Sequence, residues 1–217
     1  MEPQDIADHL QRHPDFFERH PELLAGLSVP HPLGGQAISL TERQLFALRD
    51  KLGQVQAKLA ELVAFGEEND VITTRIHRLA LALLAAESFE AARFAVYASL
   101  REDFTVPHVA LRLWSCTQPQ ALGEFATVSE ELRFQVADMR HPACGPAQHS
   151  EVLGWFGETA PQLRSMALIP LRHESRLVGL LALASEDPER FFPEMGTLYV
   201  TRIGELVATA VLAHTGG

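Results

Sequence analysis

Two cysteines, ten histidines and a scatter of arginines hold whatever side-chain chemistry this 217-residue chain can perform. His141, Cys144 and His149 stand in a His-x2-Cys-x4-His spacing, and all three are ligand types that zinc accepts. A closed zinc site takes four ligands, usually as two short-spaced pairs, and the nearest addition, Cys116, makes no such pair. His9, His13, His20 and His31 crowd the N-terminal region, with His9 and His13 one helical turn apart. Three of them precede a proline (His13-Pro14, His20-Pro21, His31-Pro32), which marks backbone punctuation rather than coordination. We therefore expect no metal site. A glycine-rich phosphate loop, a Ser/His/Asp order and a carboxylate pair at catalytic spacing are all missing, so no catalytic residue is assigned and the chain does not read as an enzyme.

Charge narrows the partners. Twenty-eight acidic residues against eighteen basic ones leave a formal net charge of −10. Such a surface repels phosphate backbones, and no basic stripe overrides the sum, so direct nucleic-acid binding is not expected. The longest apolar runs, such as 79–86, are about half the length of a membrane span. The opening MEPQDIADHLQRH is polar and acidic, unlike a secretory leader, and two cysteines make no disulfide framework. The expected location is the cytoplasm, away from membranes.

Several elements would have to position these groups. Residues 165–185 carry two apolar runs around the link His173-Glu174-Ser175-Arg176, the pattern of a β-hairpin. After Pro193, Leu198, Ile203, Leu206, Val207 and Val211 recur at helical spacing and close the chain. Val109–Trp114 alternates as a strand, with 121–128 expected as its antiparallel neighbour. Helices are expected over 89–102, 129–139 and 151–156, and a Pro/Gly loop over 141–148.

The first half is different in kind. RHPDFF (12–17) and RHPELL (19–24) form a near-repeat, each proline suiting a first helical turn. Ile6, Leu10, Phe16, Phe17, Leu23, Leu24 and Leu27 would make an apolar cluster too small to stand alone. Phe16, Phe17, Leu23 and Leu24 are accordingly candidates for docking a protein partner; stapling the arm to its own chain is the alternative. From Ser39, whose Ser39-Leu40-Thr41-Glu42 reads as a capping box, a long helix begins. Leu45, Leu48, Leu52, Val55, Leu59 and Leu62 alternate at three and four residues, an a/d seam expected to make a parallel homodimer through a coiled coil. Past Leu62 the seam weakens at Gly66 and Asn69, where the helix either bends or continues.

Taken together, HPDFFERHPELL, SLTERQLFALRDKL, the pair Cys144-Gly145, SMALIPL (165–171) and above all GLLALASEDPERFFPEMGTLYV (179–200) resemble the bacterial family of domain of unknown function 484. The hairpin, acidic loop and closing helix likewise resemble the end of a GAF domain, a small-molecule sensing and dimerisation fold. The resemblance implies an α+β protein: a GAF-like antiparallel sheet with flanking helices (71–217), preceded by a dimerising coiled-coil helix (36–70) and a small helical arm (1–35). It implies no established activity, and any cofactor is unknown. Mapped from GAF domains, a ligand region would be lined by Arg112, Trp114, Phe125, Cys144, Trp155, Phe156 and Arg172. Aromatic walls with two guanidinium groups would suit a small anion; the alternative is a pocket filled by these side chains. GAF-fold reductases use cysteine thiolates, but their cysteine spacing is not reproduced by Cys116 and Cys144. The expected function is a homodimeric sensory or adaptor protein, with a pure interaction scaffold as the alternative.

Overall fold

A computed structural model describes residues 2–26, 28–30, 37–114 and 122–215, with side chains over 2–23, 43–114 and 122–215. The chain divides into two compact units, residues 1–67 and 68–217.

In the first unit, helices α1 (Pro3–Arg12), α2 (Phe16–Arg19) and α3 (Pro21–Gly26) follow one another through tight turns. Pro3 and Pro21 open their helices, where a missing N–H removes no hydrogen bond. Pro14 instead lies before Asp15, the residue that caps α2. Short strands β1 (Ser28–Pro30) and β2 (Ala37–Ser39) pair antiparallel, Val29 opposite Ile38. Helix α4 (Leu40–Leu84) begins in this unit and ends in the second, with Gly66 and Asn69 inside its helical span.

The second unit is an α+β sandwich around a four-stranded antiparallel sheet in the order β3-β6-β5-β4. The expected hairpin is its centre: β5 (Ser165–His173) and β6 (Arg176–Ser185) pair throughout, and Glu174 in the link takes a φ of 52°. Leu171 pairs with Gly179 but Arg172 with Leu177, so Val178 bulges from β6. The strand β3 (His108–Leu113) pairs with β6, not with a following strand. Residues 121–128 are thus corrected: within them Gly123–Phe125 is a single 3-10 turn. The expected loop 141–148 also contains an edge strand, β4 (Ala143–Pro146), paired to β5.

Helices cover both faces, so β6 is buried throughout Val178–Ser185. One face takes the end of α4, α5 (Phe89–Ala98) and α8 (Leu198–Thr215), packing Leu79, Leu83, Val96, Ile203, Val207 and Val211 onto Leu111, Ile169 and Leu181. The other takes α6 (Glu130–Asp138) and α7 (Ser150–Gly154), with Leu132, Val136 and Val152 against Met166, Leu180 and Ala182. Ser88 and Ser129 cap α5 and α6, accepting from the N–H groups of Ala91 and Leu132 at 3.2 and 3.1 Å. A π-turn, Ser99–Asp103, ends α5. Two glycines mark close approaches. A Cβ at Gly204 would meet Ile169 Cγ2 at 2.7 Å, and one at Gly179 would run into the Arg112 carbonyl.

Candidate functional site

The positions expected to form the seam carry a row of exposed apolar side chains. Leu45, Leu48, Leu52, Val55, Leu59 and Leu62 are each 47–66% exposed. On an α-helix these positions share one side, because alternating steps of three and four residues track the 3.6-residue turn. Exposed leucines singly need no explanation; a row of this length at heptad spacing does. The polar flanks pair locally, as Lys58 does with Glu61 at 2.7 Å.

The seven residues of the expected ligand region fall on both faces of the sheet. Phe125 and Cys144 pack against the cluster beneath α5 and α8, the Phe125 ring lying 5.1 Å from that of Phe89. Trp114, Trp155 and Phe156 pack against the cluster beneath α6 and α7. On that second face the Arg112 guanidinium stands 4.9 Å from the centre of the Trp155 ring, in cation–π geometry. Arg133 of α6 lies 6.0 Å from the Trp114 ring, and its buried Nε has no hydrogen-bond partner. Sequence reasoning passed over Arg133. Its one available signal is its place in α6, beside Leu132 and one turn before the buried Val136.

Arg172 has another employment. Its Nη2 donates to the carbonyl oxygens of Val136, Ala137 and Met139 at 3.2, 2.6 and 3.3 Å. These carbonyls belong to the last turn of α6 and its C-cap Met139, the Val136 oxygen also accepting the Met139 N–H at 3.3 Å, and a cation there favours the helix dipole. On the first unit, Ile6, Leu10, Phe16, Phe17 and Leu23 come together around a pocket of about 660 Å³, with Phe16 and Phe17 edge to face at 5.4 Å. The Leu24 side chain lies outside the described residues.

A polar cluster that the sequence did not suggest sits beside the outer edge of β3. Buried Glu124 accepts from Arg93 Nη1 at 3.2 Å and faces Tyr97. Burial, and then the Glu124 charge and hydrogen bond, push the Tyr97 phenol up to about 12, so it stays protonated and donates. Glu151 of α7 accepts from the Ser129 N–H at 2.9 Å and from Ser129 Oγ. Partial burial works to raise this carboxyl, but the two Ser129 hydrogen bonds outweigh it and hold the group below its ordinary value.

Burial pushes the Cys144 thiol up, opposite to the shift that an activated thiolate needs. Cys116 lies outside the described residues. His149 Nε2 is engaged by Gln135 Oε1 at 2.9 Å, and the His9 and His13 rings meet at 4.7 Å in a tilted arrangement. Among the described residues no group of three or more His, Cys, Asp or Glu gathers as a metal site, and no helix is long and apolar enough to cross a membrane.

The family model for the protein of unknown function DUF484 matches residues 1–213. The chain belongs to that family. Among its relatives, "Uncharacterized protein YigA" of Salmonella typhimurium strain LT2 is 26% identical over 212 residues, covering 94% of this chain and 88% of the relative. The YigA protein of Escherichia coli K12 is 25% identical over 204 residues, covering 91% and 85%. The likeness therefore spans arm, long helix and sandwich together.

Proposed function

We propose that this family member is a non-enzymatic cytoplasmic adaptor that works as a parallel homodimer, with its sandwich serving as a GAF-like sensory module. The observation that carries the reading is the exposed row Leu45 to Leu62 on an unbroken helix. An identical helix in register supplies the facing holes that such a seam requires. Burying six branched side chains on each copy contributes about 1.5–3 kcal/mol per side chain before association costs, ample for a stable pair. Signals then pass by protein–protein contact, with Phe16, Phe17, Leu23 and Leu24 of the arm as the docking surface for a protein partner.

A ligand role has its own support in the Arg112–Trp155 and Arg133–Trp114 pairs on one face of the sheet. Planar guanidinium groups over indole rings make a setting for a small planar anion, stacked and charge-paired at once. Native mass spectrometry of the protein purified from its own cells tests both parts. The expected spectrum is a dimer carrying a reproducible mass excess that disappears on denaturation. A bare dimer leaves the scaffold without the sensor, and a monomer removes the reading altogether.

A further inference from the structure

The arm of the first unit is an apolar cluster without a finished core. Ile6, Leu10, Phe16, Phe17 and Leu23 wall the pocket of about 660 Å³, yet no residue of α1 or α2 is buried, and Ile6 and Leu23 are 44% and 48% exposed. Helices as short as these are marginal in water on their own, so cover over the pocket would stabilise the arm that forms it. The volume exceeds what one side chain fills, which calls for several apolar anchors. The walls are helical, and helices use their backbone groups internally, so they offer no strand edge. What fits such walls is another helix, presenting apolar residues at i, i+3 or i+4, and i+7.

Charge decides which kind of helix. Residues 1–35 hold six carboxylates (Glu2, Asp5, Asp8, Asp15, Glu18 and Glu22) against two arginines. Both arginines are engaged inside the arm: Arg19 pairs with Asp15, and Arg12 Nε donates to the Asp8 carbonyl at 3.1 Å. Among the described residues no lysine or arginine lines the pocket, while Asp5 stands in its wall, accepting from the Glu2 N–H at 2.9 Å. Glu18 and Glu22 are exposed and adjoin Phe17 and Leu23 in the chain. The rim is therefore acidic. The rest of the chain holds twenty-two carboxylates against sixteen lysines and arginines. Neither that remainder nor a second copy, taken as a whole, brings a surplus of positive charge to the rim.

We infer that the arm pocket receives an amphipathic helix of a different protein, with leucine-sized anchors on one face and lysine or arginine beside them. This gives a chemistry to the partner of the docking surface proposed above and rests on that reading. The anchors supply most of the affinity by leaving water. The exposed carboxylates steer the encounter and select against acidic helices, which would meet like charge at the rim.

Fluorescence anisotropy on the full-length protein tests this with two labelled model peptides, each about four helical turns long. They share the same leucine positions and carry either lysine or glutamate at the polar ones. The proteins titrated are wild type, Ile6→Ser/Leu23→Ser in the arm, and Leu52→Ser/Leu59→Ser in the coil. Ile6 and Leu23 are exposed, so serine there spares the arm helices, and circular dichroism verifies that. Wild type is expected to bind the lysine peptide about tenfold or more tightly than the glutamate one, and to lose affinity as salt rises from about 50 to about 500 mM. The arm substitutions should weaken that binding about tenfold, as loss of apolar anchors does, and the coil substitutions should leave it unchanged. The peptide comparison and the salt series use wild type alone, so they stand whatever a variant does to folding. Salt-independent binding, or equal binding of both peptides, that still responds to the arm substitutions overturns the basic partner and keeps the docking surface. Lysine-peptide binding that ignores the arm substitutions removes the docking surface as well. Binding of neither peptide also overturns the inference.

Discussion

Leu180, Leu181, Ala182, Leu183 and Ala184 of β6 are at most 1% exposed, whereas Leu45, Leu48, Leu52, Val55, Leu59 and Leu62 of α4 are 47–66% exposed. Both stretches are apolar, the strand as a continuous run and the helix as a row at steps of three and four. The difference is the supply of partners. Strand β6 has a neighbour on each edge and helices on each face, all from its own unit. The seam of α4 has a stripe and no described side chain to cover it. Stability of the sandwich should accordingly be a property of one chain, and burial of the seam a property of concentration.

The comparison can be attacked first where the effect is largest. Leu181→Ala should cost about 2–5 kcal/mol, because the fully buried site cannot collapse around the lost volume. Urea unfolding should register that loss, and the loss should be the same at every protein concentration. Gly179→Ala should cost about 1–3 kcal/mol in the same assay, since its new Cβ meets the backbone of β3, which has little room to give. A null effect at either position would mean that β6 is not packed as described.

Smaller effects sharpen the account of the second face. Arg172→Met should cost about 1–2 kcal/mol by leaving the α6 carbonyls uncapped, with faster amide exchange at the end of that helix. Unchanged exchange would free Arg172 for a ligand role. The Ser129–Glu151 contact adds a pH dependence with a definite sign. The folded-state carboxyl lies below its unfolded value, so its contribution is present above the unfolded value and lost as pH falls through the folded one. Glu151→Gln should flatten that part of the acid limb of a pH–stability curve; an unaltered limb would place the dependence elsewhere.

How much of this was legible depended on the range of the interactions involved. The hairpin could be read because its two runs and their link are contiguous, and Ser129 could be read as a helix start because a cap acts within three residues. The heptad seam was equally local. The partner of β3 was not, because it is β6, which begins more than sixty residues later, and neighbouring segments are a natural but mistaken first choice. Strand β4 was hidden by its composition, since Ala-Cys-Gly-Pro reads as a turn and is tolerated only at a sheet edge. Arg172 looked available for an anion because its partners are carbonyls from a helix more than thirty residues upstream. Glu124 and Tyr97 were overlooked for the same reason: neither is marked until the fold brings them together.

Light scattering across a dilution series, on wild type and on Leu52→Glu/Leu59→Glu, addresses the central claim most directly. The account predicts a wild-type dimer and a folded monomer for the variant, with the sandwich melting unchanged at low concentration. A variant that remains dimeric would contradict it, because the exposed row from Leu45 to Leu62 would then not be where two chains meet.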